Sequence, residues 1–343
     1  MTRTVLSILD LAPVPTGSTP ADALRTSIDL ARLADELGFG RYWVAEHHNM
    51  PGIASSSPAV LIAHLAQATE RIRLGSGGVM LPNHSALTIA EQFGMLEALH
   101  PGRIDLGLGR APGTDGLTAR ALRRGTTEGP DEFPRQLAEL YGYFTGSFAE
   151  THPFGTIHAV PARGYLPDIW LLGSSDYSAT LAGHHGLPFA FAHHFAGGNT
   201  AAAVQAYRAH FRPSGRLEAP HLALGVNVVC ADTDEHAQFL AGSGALAIVR
   251  LRQGRPSTYP TPEEAAAHEY TPMEREIVRS FTSSHVVGSP ETVRQGLLDL
   301  VARTGADELL ITTNVHSPTE RLQSFRLVAD AMECVDGELL LTA

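Results

Sequence analysis

The sequence predicts an α/β fold, a (β/α)8 barrel, from three observations. Short β-rich runs alternate with amphipathic helical stretches, eight strands across nearly all of the 343 residues, which is the pattern of parallel strands joined by helical crossovers. A chain of this length suits one barrel domain, since α/β barrels fold well over 200 residues as a unit. No G-x-G-x-x-G follows a strand, as the rival doubly wound sheet would favour. The nearest run, Gly107-Leu-Gly109-Arg-Ala-Pro112, has Pro112 where the third glycine belongs.

The elements follow in order. Strand one is read at 5–11. Thr19-Pro20 gives a helix N-cap and first position, Leu24, Ile28, Ala31 and Leu37 mark one helical face, and Gly38 stops the helix. Strand two is 41–46, with a helix over 58–69; strand three is 72–81, with a helix to 99. The Pro101-Gly102 turn leads to strand four, 103–109, then a long Gly/Pro loop and a helix at 133–144. Residues 146–166 show no regular period. Strand five, 168–172, is followed by a helix over 177–185, strand six, 188–192, by a helix over 200–211, and strand seven is 221–231. Helices without intervening strands fill 234–281, an insertion placed at residues 234–283 between strands seven and eight. A helix at 290–304, strand eight at 308–314 and a closing helix complete a single domain, 1–343.

Composition removes several classes of function. Net charge is −11 with pI near 5.8, so nucleic acid and anionic membranes are not expected partners. All 25 basic residues are arginine. Without lysine there is no Schiff base and no Walker-type phosphate loop, so an anion must be held by arginine, hydroxyls or backbone N–H groups. Two cysteines, Cys230 and Cys334, cannot form a disulfide scaffold. Cys230, inside an apolar strand, reads as an inert core residue. Apolar runs fall far short of a membrane span, and Asp10 interrupts the first one where a signal peptide needs apolar sequence. A soluble, cytoplasmic protein is the expectation.

Chemistry in a barrel gathers where strands end, and four strand ends stand out. Strand two ends in Trp43-Val-Ala-Glu46-His47-His48-Asn49. A histidine pair with a carboxylate suits catalysis near neutral pH; a structural loop or a metal site are the competing readings. Alternation along a strand would send Glu46, His47 and His48 to different faces, and no metal-binding spacing accompanies them, so no metal is expected. Strand three carries Gly75-Ser-Gly77-Gly78-Val-Met-Leu-Pro82, where glycines mark either a tight corner or the close approach of a ligand. Strand four ends at Gly109-Arg110, and a strand-end guanidinium suits a phosphate. Strand five runs Leu172-Gly173-Ser174-Ser175-Asp-Tyr-Ser178 into a helix. That segment offers either ordinary capping or backbone N–H groups and hydroxyls to an anion; beside Arg110, the anion reading is preferred. His193-His194 close strand six as a second pair, read as core or site.

Taken in register, Glu46-His47-His48, Gly-Ser-Gly-Gly-Val-Met-Leu-Pro, His100-Pro-Gly-Arg-Ile-Asp-Leu-Gly-Leu-Gly-Arg110, Leu-Gly-Ser-Ser-Asp-Tyr-Ser and Val287-Gly-Ser-Pro-Glu-Thr-Val293 resemble the bacterial luciferase-like flavin-dependent monooxygenases. The similarity is greatest to the single-subunit luciferase-like class oxidoreductases and extends over nearly the whole chain. The resemblance implies a (β/α)8 (TIM) barrel that binds reduced FMN across its C-terminal mouth. It implies that His47 assists C4a-(hydro)peroxyflavin chemistry with His48 and Glu46 beside it. Gly77-Gly78 would supply a non-prolyl cis peptide against the flavin ring. Arg110, Gly173, Ser174, Ser175 and Ser178 would hold the phosphate, with Arg135 as a second phosphate arginine. His193 falls where luciferase itself has an aromatic residue, a departure that argues against a long-chain aldehyde substrate and light emission.

The implied reaction is oxidation of a small aldehyde, ketone or aromatic carbonyl by O2. FMNH2 would come from a separate NAD(P)H:flavin reductase, since no nicotinamide fingerprint is present, and a homodimer is expected by analogy. Hydride transfer with the deazaflavin F420 on the same fold, or a catalytically silent flavin-binding barrel, are the alternatives.

Overall fold

The computed structural model describes residues 4–123, 132–335 and 338–339. The strands are β1 (Val5–Asp10), β2 (Arg41–Val44), β3 (Arg73–Met80), β4 (Ile104–Gly109), β5 (Asp168–Gly173), β6 (Phe189–Phe191), β7 (Leu222–Cys230), β8 (Val286–Gly288) and β9 (Glu308–Thr312). β1 to β7 pair in parallel in chain order, and β9 pairs in parallel with both β7 and β1, which closes an eight-stranded parallel barrel. The (β/α)8 fold is therefore what the alternating pattern indicates.

The helices wrapped on it are α1 (Pro20–Glu36), α2 (Pro58–Ala68), α3 (Ala86–Leu99), α4 (Gly116–Leu122), α5 (Phe133–Thr145), α6 (Asp176–His185), α7 (His193–Ala196), α8 (Thr200–His210), α9 (Asp234–Arg252), α10 (Pro262–Ala267), α11 (Pro272–Thr282), α12 (Pro290–Thr304) and α13 (Pro318–Ala331). Local chemistry explains their ends. Thr19 and Asp22 form a reciprocal capping box around Pro20, as the Thr-Pro signal indicates.

Several elements differ from the sequence reading. Strand two stops at Val44, so Glu46, His47 and His48 lie beyond it and strand alternation does not govern their directions. Strand eight stops at Thr312. β8 extends the outer end of β7, pairing Val286–Gly288 with Val228–Cys230; at three residues it carries too little period to be legible. The short helices α4 and α7 and the strands β10 (Cys334–Val335) and β11 (Glu338–Leu339) were likewise not expected.

Two layers of core hold the barrel. Leu6, Ile8, Leu74, Ile104, Leu106 and Leu309 point outward and are buried under the helices. Inside, Trp43 and Trp170 meet edge to face at 5.0 Å and pack with Leu9, Ala190, Ala223 and Leu310. This packing leaves no room for a side chain at two positions of β3. A Cβ on Gly77 would lie 2.6 Å from Leu9 Cδ1, and one on Gly78 2.7 Å from the Gly107 carbonyl oxygen. Packing inside the barrel is itself a sufficient reason for glycine at both positions. The Gly77–Gly78 peptide is cis, as the resemblance implies.

The N-terminal end of the barrel is closed by ions. Arg41 donates to Asp105 at 2.9 Å and to Glu308 at 3.0 Å, and Arg73 reaches both Asp105 and Asp168 at 2.6 Å. Trp43 Nε1 donates to Asp105 at 2.9 Å. Paired buried charges of this kind specify packing and are costly to break singly. That leaves the C-terminal mouth free for chemistry. No described helix is long and apolar enough to cross a membrane.

Candidate active site

Glu46 is the hub of the mouth. Its side chain is buried, and its Oε1 accepts hydrogen bonds from His48 Nε2 and His84 Nε2, each at 2.9 Å, while Oε2 accepts the Met80 backbone N–H at 3.0 Å. Because a carboxylate only accepts, both Nε2 atoms must carry the proton. Burial alone would raise the Glu46 carboxyl, but the bonds from His84 and His48 and from the Met80 N–H outweigh it and hold it below its ordinary range. Among the described residues no three His, Cys, Asp or Glu side chains converge as a metal site. His84 follows an unremarked Leu-Pro-Asn turn, and the sequence offered no signal for it.

His47 is oriented separately. Its Nδ1 donates to the Gly113 carbonyl at 3.2 Å, and its backbone N–H to Ser55 O at 3.0 Å. Burial lowers its pKa, with the Gly113 bond and Glu46 opposing, so the ring is neutral at pH 7 with an unprotonated Nε2. The residue lines a cavity of about 600 Å³ at the barrel mouth, within the usual range for ligand pockets.

Two further histidines face the same cavity. His194 and His285 line the cavity, and burial pushes each down to about 4. His285 Nε2 donates to the His194 carbonyl at 3.1 Å. Asn227, inside β7, and Asn314, just past β9, add amides to the wall, and the buried Asn314 Oδ1 has no hydrogen-bond partner among the described residues. An asparagine within the otherwise apolar β7 was a signal that sequence reading passed over. Of the strand-six pair, His194 faces the cavity, whereas His193 is buried with Nδ1 2.7 Å from Thr200 Oγ1.

A cationic corner forms at the ends of β4 and β5. The Arg110 guanidinium lies 4.1 Å from the ring centroid of Tyr177, in the first turn of α6. Ser175 is the N-cap of α6, but its hydroxyl makes no capping bond, so side-chain capping does not account for it. Ser174 is exposed and Ser178 buried. A Cβ on Gly173 would come within 2.5 Å of Ser178 Cβ, so glycine lets β5 close on the helix. Arg110, Gly173, Ser174, Ser175 and Ser178 thus share one corner. Arg135 is engaged otherwise, at 2.7 Å from Glu132 and 2.8 Å from Glu139.

A ligand with an anionic end and a broad ring with hydrogen-bonding edges fits these groups. An anion would meet Arg110 and the backbone N–H groups of the α6 N-terminus, and an N–H donor in the cavity would satisfy Asn314 Oδ1. Cys230 takes no part, its buried thiol being pushed up to about 12.

A family model described as luciferase-like monooxygenase matches residues 5–308. The chain is 47% identical over 327 residues to a luciferase-like monooxygenase of Escherichia coli (strain K12), covering 95% of this chain and 96% of that one. The crystal structure of apo-MsnO8 is similar with a TM-score of 0.89 and 40% identity, over 97% of this chain and 99% of that one. The FMN complex of the oxygenating constituent of 3,6-diketocamphane monooxygenase from Pseudomonas putida, a type II Baeyer-Villiger monooxygenase, shares the fold. Its TM-score is 0.69 at 20% identity, over 96% of this chain and 97% of that one.

Proposed function

Because the chain belongs to the luciferase-like monooxygenase family, we propose that it is an FMN-dependent monooxygenase that oxidises a small organic substrate with O2. The observation that carries this reading is the His47 imidazole, held neutral by burial and aimed by Gly113, on the wall of a cavity of about 600 Å³.

Reduced FMN, when bound, supplies the activation of O2. The protein's contribution is binding, orientation and proton control. Arg110 with Gly173, Ser174, Ser175 and Ser178 holds the phosphate, whereas Arg135 is spent on Glu132 and Glu139. The Gly77–Gly78 backbone borders the ring; His193 is buried against Thr200, and His194 is the member of that pair on the cavity wall. Glu46 fixes His48 and His84, and His47 Nε2 takes and returns the proton as oxygen is transferred. The apolar wall of α9 excludes water that would divert the reaction to hydrogen peroxide. The substrate class is an aldehyde, ketone or aromatic carbonyl. A separate NAD(P)H:flavin reductase delivers FMNH2 in the cytoplasm, and the working unit is a homodimer.

Anaerobic titration with reduced FMN and with reduced F420, followed by admission of air, tests this. Tight binding of reduced FMN and rapid O2 uptake are expected. Binding of reduced F420 without O2 uptake would turn the assignment to hydride transfer, and flavin binding without turnover of any carbonyl offered would indicate a silent flavin carrier.

A further inference from the structure

The substrate cavity is asymmetric in charge. Its lining mixes the neutral polar groups His47, His194, Asn227, His285 and Asn314 with apolar side chains, among them Ile53, Ile248, Leu251 and Phe281. No carboxylate lines it among the described residues, and the only permanent charge is Arg252, exposed in the last turn of α9. That is unexpected for a chain of net charge −11.

Neighbouring arginines show what is unusual about this one. Arg250 is ion-paired with Glu264, and Arg255 Nη2 donates to the Gln253 carbonyl oxygen Oε1. The Arg252 guanidinium has no ion-pair or hydrogen-bond partner among the described residues. The C-terminal end of a helix stabilises a cation wherever it points, so the helix accounts for the charge but not for its place in the cavity wall. A rigid, exposed donor fork in the wall of a cavity without carboxylates matches a carboxylate.

We propose that Arg252 is a specificity-determining residue and that the substrate is an amphipathic carboxylate: an anionic group at Arg252, an apolar body along α9, and the oxidised group at His47. This deepens the oxygenase reading and rests on it for the identity of the reacting end.

Calorimetric titration of the full chain with octanoate against octanamide, and with 4-phenylbutanoate against its amide, tests the proposal without turnover. In at least one pair the carboxylate should bind roughly tenfold tighter or more, the worth of a hydrogen bond to a charged group. R252Q should erase that preference and leave amide affinity unchanged, and R252K should restore part of it. Absence of preference in both pairs, or a preference that survives R252Q, overturns the proposal. FMN against riboflavin forms the second arm. R252Q should keep the wild-type preference for FMN; its loss would mean that Arg252 grips the flavin phosphate, and the substrate proposal falls. Because the readout is binding, carboxylate selection can hold in a chain that fails to consume O2 with FMNH2, and the reverse can also occur.

Discussion

Glu46 Oε1 accepts His84 Nε2 at 2.9 Å and holds His48 at the same distance, so one buried carboxylate ties the loop after β2 to the loop after β3. The tie fixes the protonated atom on both rings, and the Met80 N–H on the second oxygen leaves the carboxylate little freedom to turn. His47, next in sequence, is released from that network and bonded to Gly113 instead. Two adjacent histidines thus have different partners and, in this account, different tasks.

Glu46→Gln should loosen both histidines. An amide accepts on its oxygen only, so either the bond from Met80 or the bonds from both rings are lost, at about 1–3 kcal/mol each. The sign with pH follows from the lowered carboxyl. The contribution of Glu46 is full above its unfolded value of 4.5 and is lost as pH falls through the lower folded value. Urea unfolding of wild type and variant should differ most at neutral pH and converge in acid. A constant gap would contradict the assignment.

The buried histidines give stability an acid slope of their own. His194 and His285 stay neutral down to about pH 4, whereas the unfolded chain takes up protons from about 6.5. Folded stability therefore falls as pH drops between those values. His285→Gln should flatten the slope of unfolding free energy across pH 4–6.5. An unchanged slope would place the His285 ring in contact with water.

Arg110→Ala should weaken FMN binding by about 1.5–3 kcal/mol while leaving riboflavin affinity alone. Titration of both ligands by flavin fluorescence reads the difference. An equal loss for FMN and riboflavin would mean that Arg110 supports the site through Tyr177 rather than through the phosphate.

Gly107→Ala should destabilise the barrel irrespective of any ligand, because its Cβ would fall 2.1 Å from the Ser76 carbonyl oxygen. Overpacking of this sort typically costs about 1–3 kcal/mol, visible as a lowered Tm. A variant of wild-type Tm would show that β3 and β4 can separate freely.

How far the sequence alone reached follows from the range of each signal. Strand–helix alternation is local and repeated, so the barrel is legible from the chain itself. The Arg110 and Gly173–Ser175 corner was legible because each half falls at a strand end, and a barrel brings strand ends together. His84 was not, since its partner Glu46 is 38 residues away and only the fold joins them. Nor was the division between His47 and His48. Alternation along a strand was the argument, but β2 ends at Val44 and hydrogen bonds set the two rings instead. The glycines of β3 allow a tight corner or a ligand from sequence alone, and the Cβ directions of Gly77 and Gly78 toward Leu9 and Gly107 supply a packing reason that no local pattern contains. Asn227 and Asn314 passed unnoticed because single amides in apolar strands gain meaning only once they face one cavity.

The central claim is that His47 manages the proton of an oxygenation carried out with reduced FMN. Its most direct test is oxygen uptake by His47→Ala and His48→Ala with FMNH2 and a turned-over substrate, with product and hydrogen peroxide measured together. His47→Ala should bind FMNH2 as wild type does, lose roughly 10²–10⁴-fold in product formation, and return the consumed O2 as hydrogen peroxide, while His48→Ala should lose less. Product formation at the wild-type rate in His47→Ala would contradict it.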